Sequence, residues 1–416
     1  MTKTKRDINY KTALIGWSLP SIEAIDQMKR PFVIVGPPGM EDYAKKYDLP
    51  YISWDFEDYK KRVSMEEVCD HCEELFHALE NENVKLAVPL FEDTVEWAAA
   101  INARLQNDPK IFKHSLLFRD KAKMKRRALM GGLKVGVFEE ARTKEEVKQF
   151  LRRVNDALLK EEEELDPIHV KAFNKAGDVG HRVIRSEQDA EQLEEETFPC
   201  LLESHLDGVE VSCEVFIHNG KIRFLNITEY IVFGYSMMAP PSPPIEKQRK
   251  KIRGAVQALI KAFDIKNGLI HPEFFIDENG SISFIEVAHR IPGGNIFDLI
   301  QKTYNFNPYQ AHILVSDPNT TDEELNKFFP KEHKFKGHAG SLMVYPRVEK
   351  IEKLNVPQEL EEHPGFDRHT MFTPVQRKVE ESEGFGNPHG VVFFHHDDCD
   401  HVKQPLQDYA QHDFFI

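Results

Sequence analysis

The N-terminal part of the chain alternates short apolar runs with patterns that place apolar residues on one helical face. The apolar runs predict strands at residues 12–15, 31–35, 51–53 and 86–89. The helical patterns cover residues 64–80 and 93–105. Because strands that alternate with helices favour an open parallel sheet, we expect residues 1–112 to form an α/β domain.

The middle of the chain, residues 113–200, predicts a smaller α+β lobe. A basic helix over residues 119–130 ends at two glycines, and a second helix covers residues 144–155. Two short strands, 168–173 and 181–184, enclose a glycine-containing loop.

From residue 201 onward the pattern becomes antiparallel. Apolar runs flank His218-Asn219-Gly220, which is a strong hairpin signal. An amphipathic helix over residues 246–263 is followed by a second Asn-Gly hairpin, and β-like runs recur in the tail. We expect residues 201–416 to form one large antiparallel lobe that includes this β-rich tail.

The second hairpin, residues 269–287, carries the most informative chemistry. If Asn279-Gly280 form a two-residue turn, Glu278 pairs with Ser281 and the register of the hairpin is fixed. Counting outward from that turn, Glu273 lies directly opposite Glu286. Paired residues point to the same face, with Cβ atoms ~4.5–5.5 Å apart.

Strand alternation adds His271 and Arg290 to the face that holds the two glutamates. The opposite face is apolar and is expected to pack in the core: Ile270, Phe274, Ile276, Ile285 and Val287. Two carboxylates forced together are unfavourable unless a cation lies between them, and Mg²⁺ prefers carboxylate oxygens together with substrate phosphates. A solvated surface hairpin would explain the alternation but not Glu opposite Glu beside an arginine.

A second candidate feature is Lys171 and the loop that follows it. Small residues, including Gly177 and Gly180, let backbone N–H groups approach phosphate oxygens, and the lysine adds a positive charge. No Gly-Lys-Ser/Thr follows, so this is not a Walker A loop.

Composition narrows the possible partners. With 416 residues, 41% of them hydrophobic and 30% charged, the chain suits two or three globular domains. A net charge of −15 argues against nucleic acid, and no apolar stretch approaches the ~20 residues that span a bilayer. Five cysteines and a polar N-terminus predict reduced thiols and a cytoplasmic protein without a membrane partner.

Three features have competing interpretations. Cys69 and Cys72 lie in a helical pattern and are interpreted as buried thiols rather than a metal site. The cluster from His395 to His401 is interpreted as a polar turn rather than a metal site. Glu92, which follows a predicted strand, could bind the amino group of a substrate or cap the next helix, and the sequence leaves both open.

Four segments together resemble the ATP-grasp superfamily of carboxylate–amine ligases, most closely the L-amino-acid ligases that make dipeptides. They are Arg119-Asp120-Lys121, Lys171 with its loop, residues 202–210, and residues 268–294. The resemblance implies the ATP-grasp fold, with the small lobe of residues 113–200 as its lid. It also implies ATP and Mg²⁺ (or Mn²⁺) as cofactors, and formation of an acyl phosphate with release of ADP. The substrates implied are amino acids, and a homodimer is the usual expectation.

The resemblance also implies roles for individual residues. Glu273 and Glu286 would hold the metal, and Arg290 and Lys171 would be catalytic. The implied nucleotide contacts are Lys121, Lys171, Gly177, Gly180, Glu203, Leu206, Glu210 and His271. The implied substrate contacts are Arg290, Gly293 and Gly294, with Glu92 as a further candidate.

One position departs from the family pattern, since Ala288 stands where many members have a metal-binding asparagine. A water could complete the coordination, so the number of metal ions is open. Three other functions also remain open: loading an amino acid onto the phosphopantetheine thiol of a carrier protein, nucleotide binding without catalysis, and metal-dependent hydrolysis.

Overall fold

The computed structural model describes residues 8–57, 72–157, 165–173, 180–371 and 388–416. Its N-terminal part is a parallel sheet with the strand order β3-β2-β1-β4, as the sequence predicts. The strands are β1 Lys11–Ile15, β2 Phe32–Gly36, β3 Tyr51–Ser53 and β4 Val84–Pro89. The helices are α1 Leu19–Gln27, α2 Glu41–Lys46, α3 Glu73–Asn81, α4 Val95–Gln106 and α5 Lys110–Ser115. The first part of the helix predicted at 64–80, with Cys69, lies outside the described residues, and Cys72 is buried.

The small lobe is an antiparallel sheet with the order β5-β8-β6-β7. Its strands are β5 Phe138–Ala141, β6 Ile168–Lys171, β7 Arg182–Ile184 and β8 Cys200–Ser204. Helices α7 Lys144–Ala157 and α8 Glu187–Glu191 cover one face with apolar side chains such as Phe150 and Leu151. Strand β8 extends the sheet past residue 200, and the preceding helix α6, Lys121–Met130, packs on the large lobe. The predicted domain boundaries after residues 112 and 200 therefore stay a prediction.

The large lobe is an antiparallel sheet with the order β13-β12-β9-β10-β11-β14-β16-β15 among the described strands. The strands are β9 Val209–His218, β10 Lys221–Val232, β11 Ser236–Ala239, β12 Gly268–Ile276, β13 Ile282–Ala288, β14 His338–Val344, β15 Phe366–Met371 and β16 Gly390–His396. The helices are α9 Pro243–Glu246, α10 Arg249–Ala262, α11 Ile296–Tyr304, α12 Pro308–Ser316, α13 Asp322–Phe328, α14 Gln358–Glu361 and α15 Asp400–Asp408. The tail thus continues the large sheet, and α10 with α6 covers the sheet face behind the second hairpin.

The turn of the second hairpin differs from the prediction. The first hairpin has the expected two-residue turn, with positive φ at both Asn219 and Gly220. In the second hairpin Asp277 and Ser281 close a three-residue loop instead, and Gly280 adopts a φ of +71°. The Asp277 carboxylate favours this loop because its Oδ1 accepts from the N–H of Ser281 at 2.8 Å. The predicted two-residue turn was therefore wrong.

A β-bulge restores the register farther along the same hairpin. Phe274 pairs with Phe284, whereas Glu273 pairs with Glu286, so Ile285 is an extra residue on β13. The bulge cancels the extra loop residue, and Glu273 lies opposite Glu286 as predicted. Phe284, rather than the predicted Ile285, faces Phe274 in the core, with their ring centroids 6.0 Å apart.

In the described part of the chain, the structure has no helix that combines the length and the apolar character needed to cross a membrane.

Candidate active site

Several of the predicted residues meet in one cleft between the N-terminal domain and the large lobe. Glu273 on β12 and Glu286 on β13 line it together with Arg290, which follows β13. Lys121, at the start of α6, and Glu92, just after β4, complete its wall. Residues that are distant in sequence therefore share one polar cavity.

The Lys121 ammonium forms an ion pair with the Glu286 carboxylate. Asp120 caps α6 by accepting from the N–H of Lys123 at 2.9 Å, which fixes the start of the helix beside β13. Burial by itself would raise the pKa of Glu286, but Lys121 and Lys171 lower it to about 2. Glu286 is therefore ionised at neutral pH and has a cation beside it.

A buried carboxylate, Glu203, joins two lysines at the edge of the small lobe. Its Oε2 accepts from Lys171 Nζ at 3.0 Å, and its Oε1 lies 2.9 Å from Lys125 Nζ. Burial would raise the pKa of Glu203, yet Lys125 and Lys171 lower it to about 2. The pKa of Lys171 is raised, because Glu203 and Glu286 outweigh its burial. The sequence predicted Glu203 and Lys171 but not their contact.

Lys125 is a site residue that the sequence did not reveal. It is 3% exposed, and its Nζ also donates to the carbonyl of the bulge residue Ile285 at 2.9 Å. Burial lowers the pKa of this lysine, and Glu203 opposes the effect. Its position four residues after Lys121, on the same helix face, was the only available signal.

A histidine and a tyrosine contact the Glu273 carboxylate. His271 Nε2 lies 3.3 Å from Glu273 Oε1, and the Tyr230 hydroxyl donates to the same oxygen at 3.1 Å. The other nitrogen of the histidine, Nδ1, lies 3.0 Å from Oε1 of Glu214. Burial would lower the pKa of His271, but Glu214 and Glu273 raise it to about 9. Carboxylates only accept, so both ring nitrogens donate. Tyr230 and Glu214 were not predicted.

Glu92 links the N-terminal domain to Arg290. Its Oε2 accepts from Arg290 Nε at 2.7 Å, and its Oε1 pairs with Arg119. Burial would raise the pKa of Glu92, whereas the two arginines lower it. Both oxygens of the Glu92 carboxylate therefore face arginines, and the binding of a substrate ammonium group by Glu92 stays a prediction.

The remaining predicted residues lie around this centre. Gly294 has a φ of +62°, and a Cβ there would meet Met237 Sδ at 2.4 Å, whereas a Cβ on Gly293 would meet nothing. Leu206 and Glu210 are partly buried, next to β8 and on β9 respectively. Gly180 has a φ of +74°, and Gly177 lies outside the described residues. The roles of all these residues remain predictions.

The donor atoms of the cleft suit a hard cation. Glu273 and Glu286 offer only oxygen, and they lie opposite each other on paired strands. Three positively charged side chains around them, Lys121, Lys171 and Arg290, suit a polyanion such as a nucleotide. Within the described ranges no group of three or more His, Cys, Asp or Glu could hold a metal, and that includes the segment from His395 to His401. Two protein carboxylates are enough for Mg²⁺, because this ion keeps waters and shares substrate phosphates.

Comparison with known proteins agrees with this geometry. Residues 168–298 match the model of the ATP-grasp domain family. The L-arginine-specific L-amino acid ligase of Bacillus subtilis is 26% identical over 140 residues, which are 29% of this chain and 31% of that protein. The chain therefore aligns with less than a third of the length of this curated relative.

Two solved structures share the fold over nearly the whole chain. The L-amino acid ligase of Bacillus licheniformis has a TM-score of 0.72 at 20% identity and covers 97% of this chain and 98% of its own. The N5-carboxyaminoimidazole synthetase of Staphylococcus aureus, complexed with ADP, has a TM-score of 0.66 at 19% identity, with 97% of both chains covered. We conclude that residues 168–298 are similar to the ATP-grasp domain family and that the whole chain has the ATP-grasp fold.

Proposed function

We propose that this protein is an ATP-dependent carboxylate–amine ligase that joins L-amino acids through an acyl phosphate and releases ADP and phosphate. One observation carries the proposal: Glu273 lies opposite Glu286, with Lys121 and Lys171 near Glu286 and Arg290 in the same cleft. The likeness to two L-amino acid ligases supports the choice of amino acids as substrates.

The residues of the cleft fit ATP and Mg²⁺. Glu273 and Glu286 would hold the metal, and Lys121 and Lys171 would contact the nucleotide phosphates. When bound, Mg²⁺ supplies positive charge that offsets the charge of the phosphates. Each lysine already pairs with a glutamate, so the binding of a charged nucleotide exchanges one ionic partner for another. The exchange avoids leaving a buried charge unpaired.

The first chemical step makes the acid reactive. A carboxylate oxygen of the first substrate attacks the γ-phosphorus of ATP, the bond to the β-phosphate oxygen breaks, and ADP leaves. Lys171 and Arg290 would offset the negative charge of the transferring group. The product, an acyl phosphate, has a good leaving group where the free acid had none.

The second step forms the amide. The amine of the second substrate attacks the acyl carbon, phosphate leaves, and the amine loses a proton. Arg290 would stabilise the oxyanion, a kind of contact whose loss typically costs ~3–4 kcal/mol. Arg290 now pairs with Glu92, so a substrate carboxylate would compete for the guanidinium and free Glu92 to bind a substrate ammonium group.

The test is a matrix of amino acids assayed for nucleotide products with purified protein, ATP and Mg²⁺. We expect ADP and phosphate to form only with suitable amino-acid pairs, together with a dipeptide detected by mass spectrometry. AMP and pyrophosphate as products would refute the mechanism. ADP formation that requires a carrier protein would instead identify a phosphopantetheine thiol as the acceptor, and ATP binding without turnover over the whole matrix would indicate a binding module.

A further inference from the structure

A buried chain of polar side chains runs beneath the cleft and ends at Glu273. We propose that Glu214 and His271 act together as positioning residues that orient the Glu273 carboxylate, so that one of its oxygens faces the metal. The inference rests on the proposed function, because that function gives Glu273 a metal to bind. It also assigns His271 a role different from the direct nucleotide contact that the family resemblance implies.

This series of polar side chains begins at Glu214, in the interior of the sheet. This glutamate is 0% exposed, and its Oε2 accepts from Asn226 Nδ2 at 2.6 Å and from Thr228 Oγ1 at 2.9 Å. Its Oε1 accepts from Ser212 Oγ at 3.1 Å and faces His271 Nδ1 at 3.0 Å. A buried carboxylate with four polar partners is held in one orientation, because loss of any partner would leave it partly unsatisfied.

The register of the central strands places these polar side chains next to Glu273, the proposed metal ligand. On the paired strands β12 and β9, Ile270 lies opposite Val215 and Glu273 lies opposite Ser212, and this register brings His271 beside Glu214. The histidine ring therefore bridges two carboxylates, with 3.0 Å on the Glu214 side and 3.3 Å on the Glu273 side. The contact with Glu214 therefore holds the histidine ring in place.

Both donors near Glu273 approach the same oxygen. His271 Nε2 and the Tyr230 hydroxyl face Oε1, and in the described part of the chain no hydrogen bond is made to Oε2. Two donors on one oxygen fix the plane of the carboxylate and leave the other oxygen for a cation. Two apolar side chains of similar volume could fill the space of Glu214 and His271. Core packing alone therefore does not account for these buried polar side chains.

The experiment measures metal binding directly, with Mn²⁺ as the probe. Wild type, His271→Gln and Glu214→Gln are titrated with Mn²⁺ in the presence of ATP, and free Mn²⁺ is followed by electron paramagnetic resonance. The same titration without protein is subtracted, because ATP itself binds Mn²⁺. We expect both variants to need ~10–100-fold more Mn²⁺ for half-saturation, because the oriented oxygen is lost. The matched control is His312→Gln, a buried histidine whose ring bonds the carbonyl of Pro89 at 3.0 Å, and its Mn²⁺ affinity should equal that of the wild type.

The outcomes separate the inference from the function on which it rests. Folded His271→Gln or Glu214→Gln protein that binds Mn²⁺ as tightly as the wild type would overturn the positioning role. A wild type that binds no Mn²⁺ with ATP would refute the proposed function instead. If one variant does not fold, the other decides, and circular dichroism with the melting temperature establishes which samples are folded.

Discussion

Glu273 and Glu286 lie directly opposite each other on neighbouring strands, although the loop between those strands is one residue longer than the sequence predicts. The bulge at Ile285 compensates for the longer loop. Without it, β13 would be displaced by one residue, and Glu286 would point into the core. The pairing of the two carboxylates therefore depends on a local irregularity and not on a regular hairpin.

We predict that Glu286→Gln abolishes turnover and leaves the fold intact. The amide keeps the shape of the side chain but removes the charge that pairs with Lys121 and would hold a metal. We expect a loss of at least ~1,000-fold in kcat, measured as ADP release, with little change in the far-ultraviolet circular dichroism. The matched control is Glu278→Gln on the exposed loop of the same hairpin, which should keep full activity. An active Glu286→Gln variant would contradict the assignment of this residue.

We predict that Lys125→Met impairs catalysis through the bulge. The variant removes the donor to the Ile285 carbonyl and one of the two cations beside Glu203. Loss of a buried charged partner should lower the free energy of unfolding by ~2–4 kcal/mol, and the altered bulge should lower kcat/KM for ATP by ~10-fold or more. Chemical denaturation and steady-state kinetics measure the two effects. Lys123→Met, an exposed change on the same helix, should alter neither, and an equally small effect for Lys125→Met would refute this role.

We predict that Arg290→Lys is a poor substitute for arginine. Lysine keeps the charge but not the planar fork, whose Nε donates to Glu92 while Nη1 donates to the Ile291 carbonyl. We expect kcat to fall by ~100-fold or more, with a smaller change in the KM for ATP. A KM effect alone would mean that Arg290 binds the ground state and does not stabilise the transition state.

We predict that acid destabilises the folded protein through Glu203. The pKa of this group is about 2 in the folded protein and 4.5 ordinarily, so its contribution to stability is complete above pH 4.5 and is lost as the pH falls towards 2. The shift corresponds to about 3 kcal/mol. Denaturation midpoints measured between pH 6 and pH 3 should fall more steeply for the wild type than for Glu203→Gln. Parallel curves would show that this carboxylate does not titrate with unfolding.

We predict that Asp317→Asn loosens the attachment of the N-terminal domain. Asp317 follows α12 on the large lobe, is 1% exposed, and accepts from Arg30 Nη1 at 2.8 Å and from the Tyr10 hydroxyl at 2.9 Å. Breaking a buried ion pair by changing one partner typically costs ~3–5 kcal/mol. Limited proteolysis and thermal unfolding should show the N-terminal domain opening first. If the double variant Arg30→Met/Asp317→Asn is no more stable than Asp317→Asn, the cost does not come from the unpaired arginine.

The sequence by itself determined most of the local structure and the pairing of the two central carboxylates. Strand–helix alternation and Asn-Gly dipeptides predicted the parallel and antiparallel sheets, because backbone preferences and apolar periodicity act over a few residues. The pairing of Glu273 with Glu286 was also predicted, although the assumed turn was wrong and the bulge corrected the count.

Only the tertiary structure decided which distant residues surround these two carboxylates. Lys125 and Glu203 meet across two lobes, and Glu92 reaches Arg290 from the N-terminal domain. The partners of His271 were also undetermined, because the contact with Glu214 depends on which strands become neighbours in the large sheet. Such contacts depend on how whole helices and strands pack together, and local sequence patterns do not specify that packing.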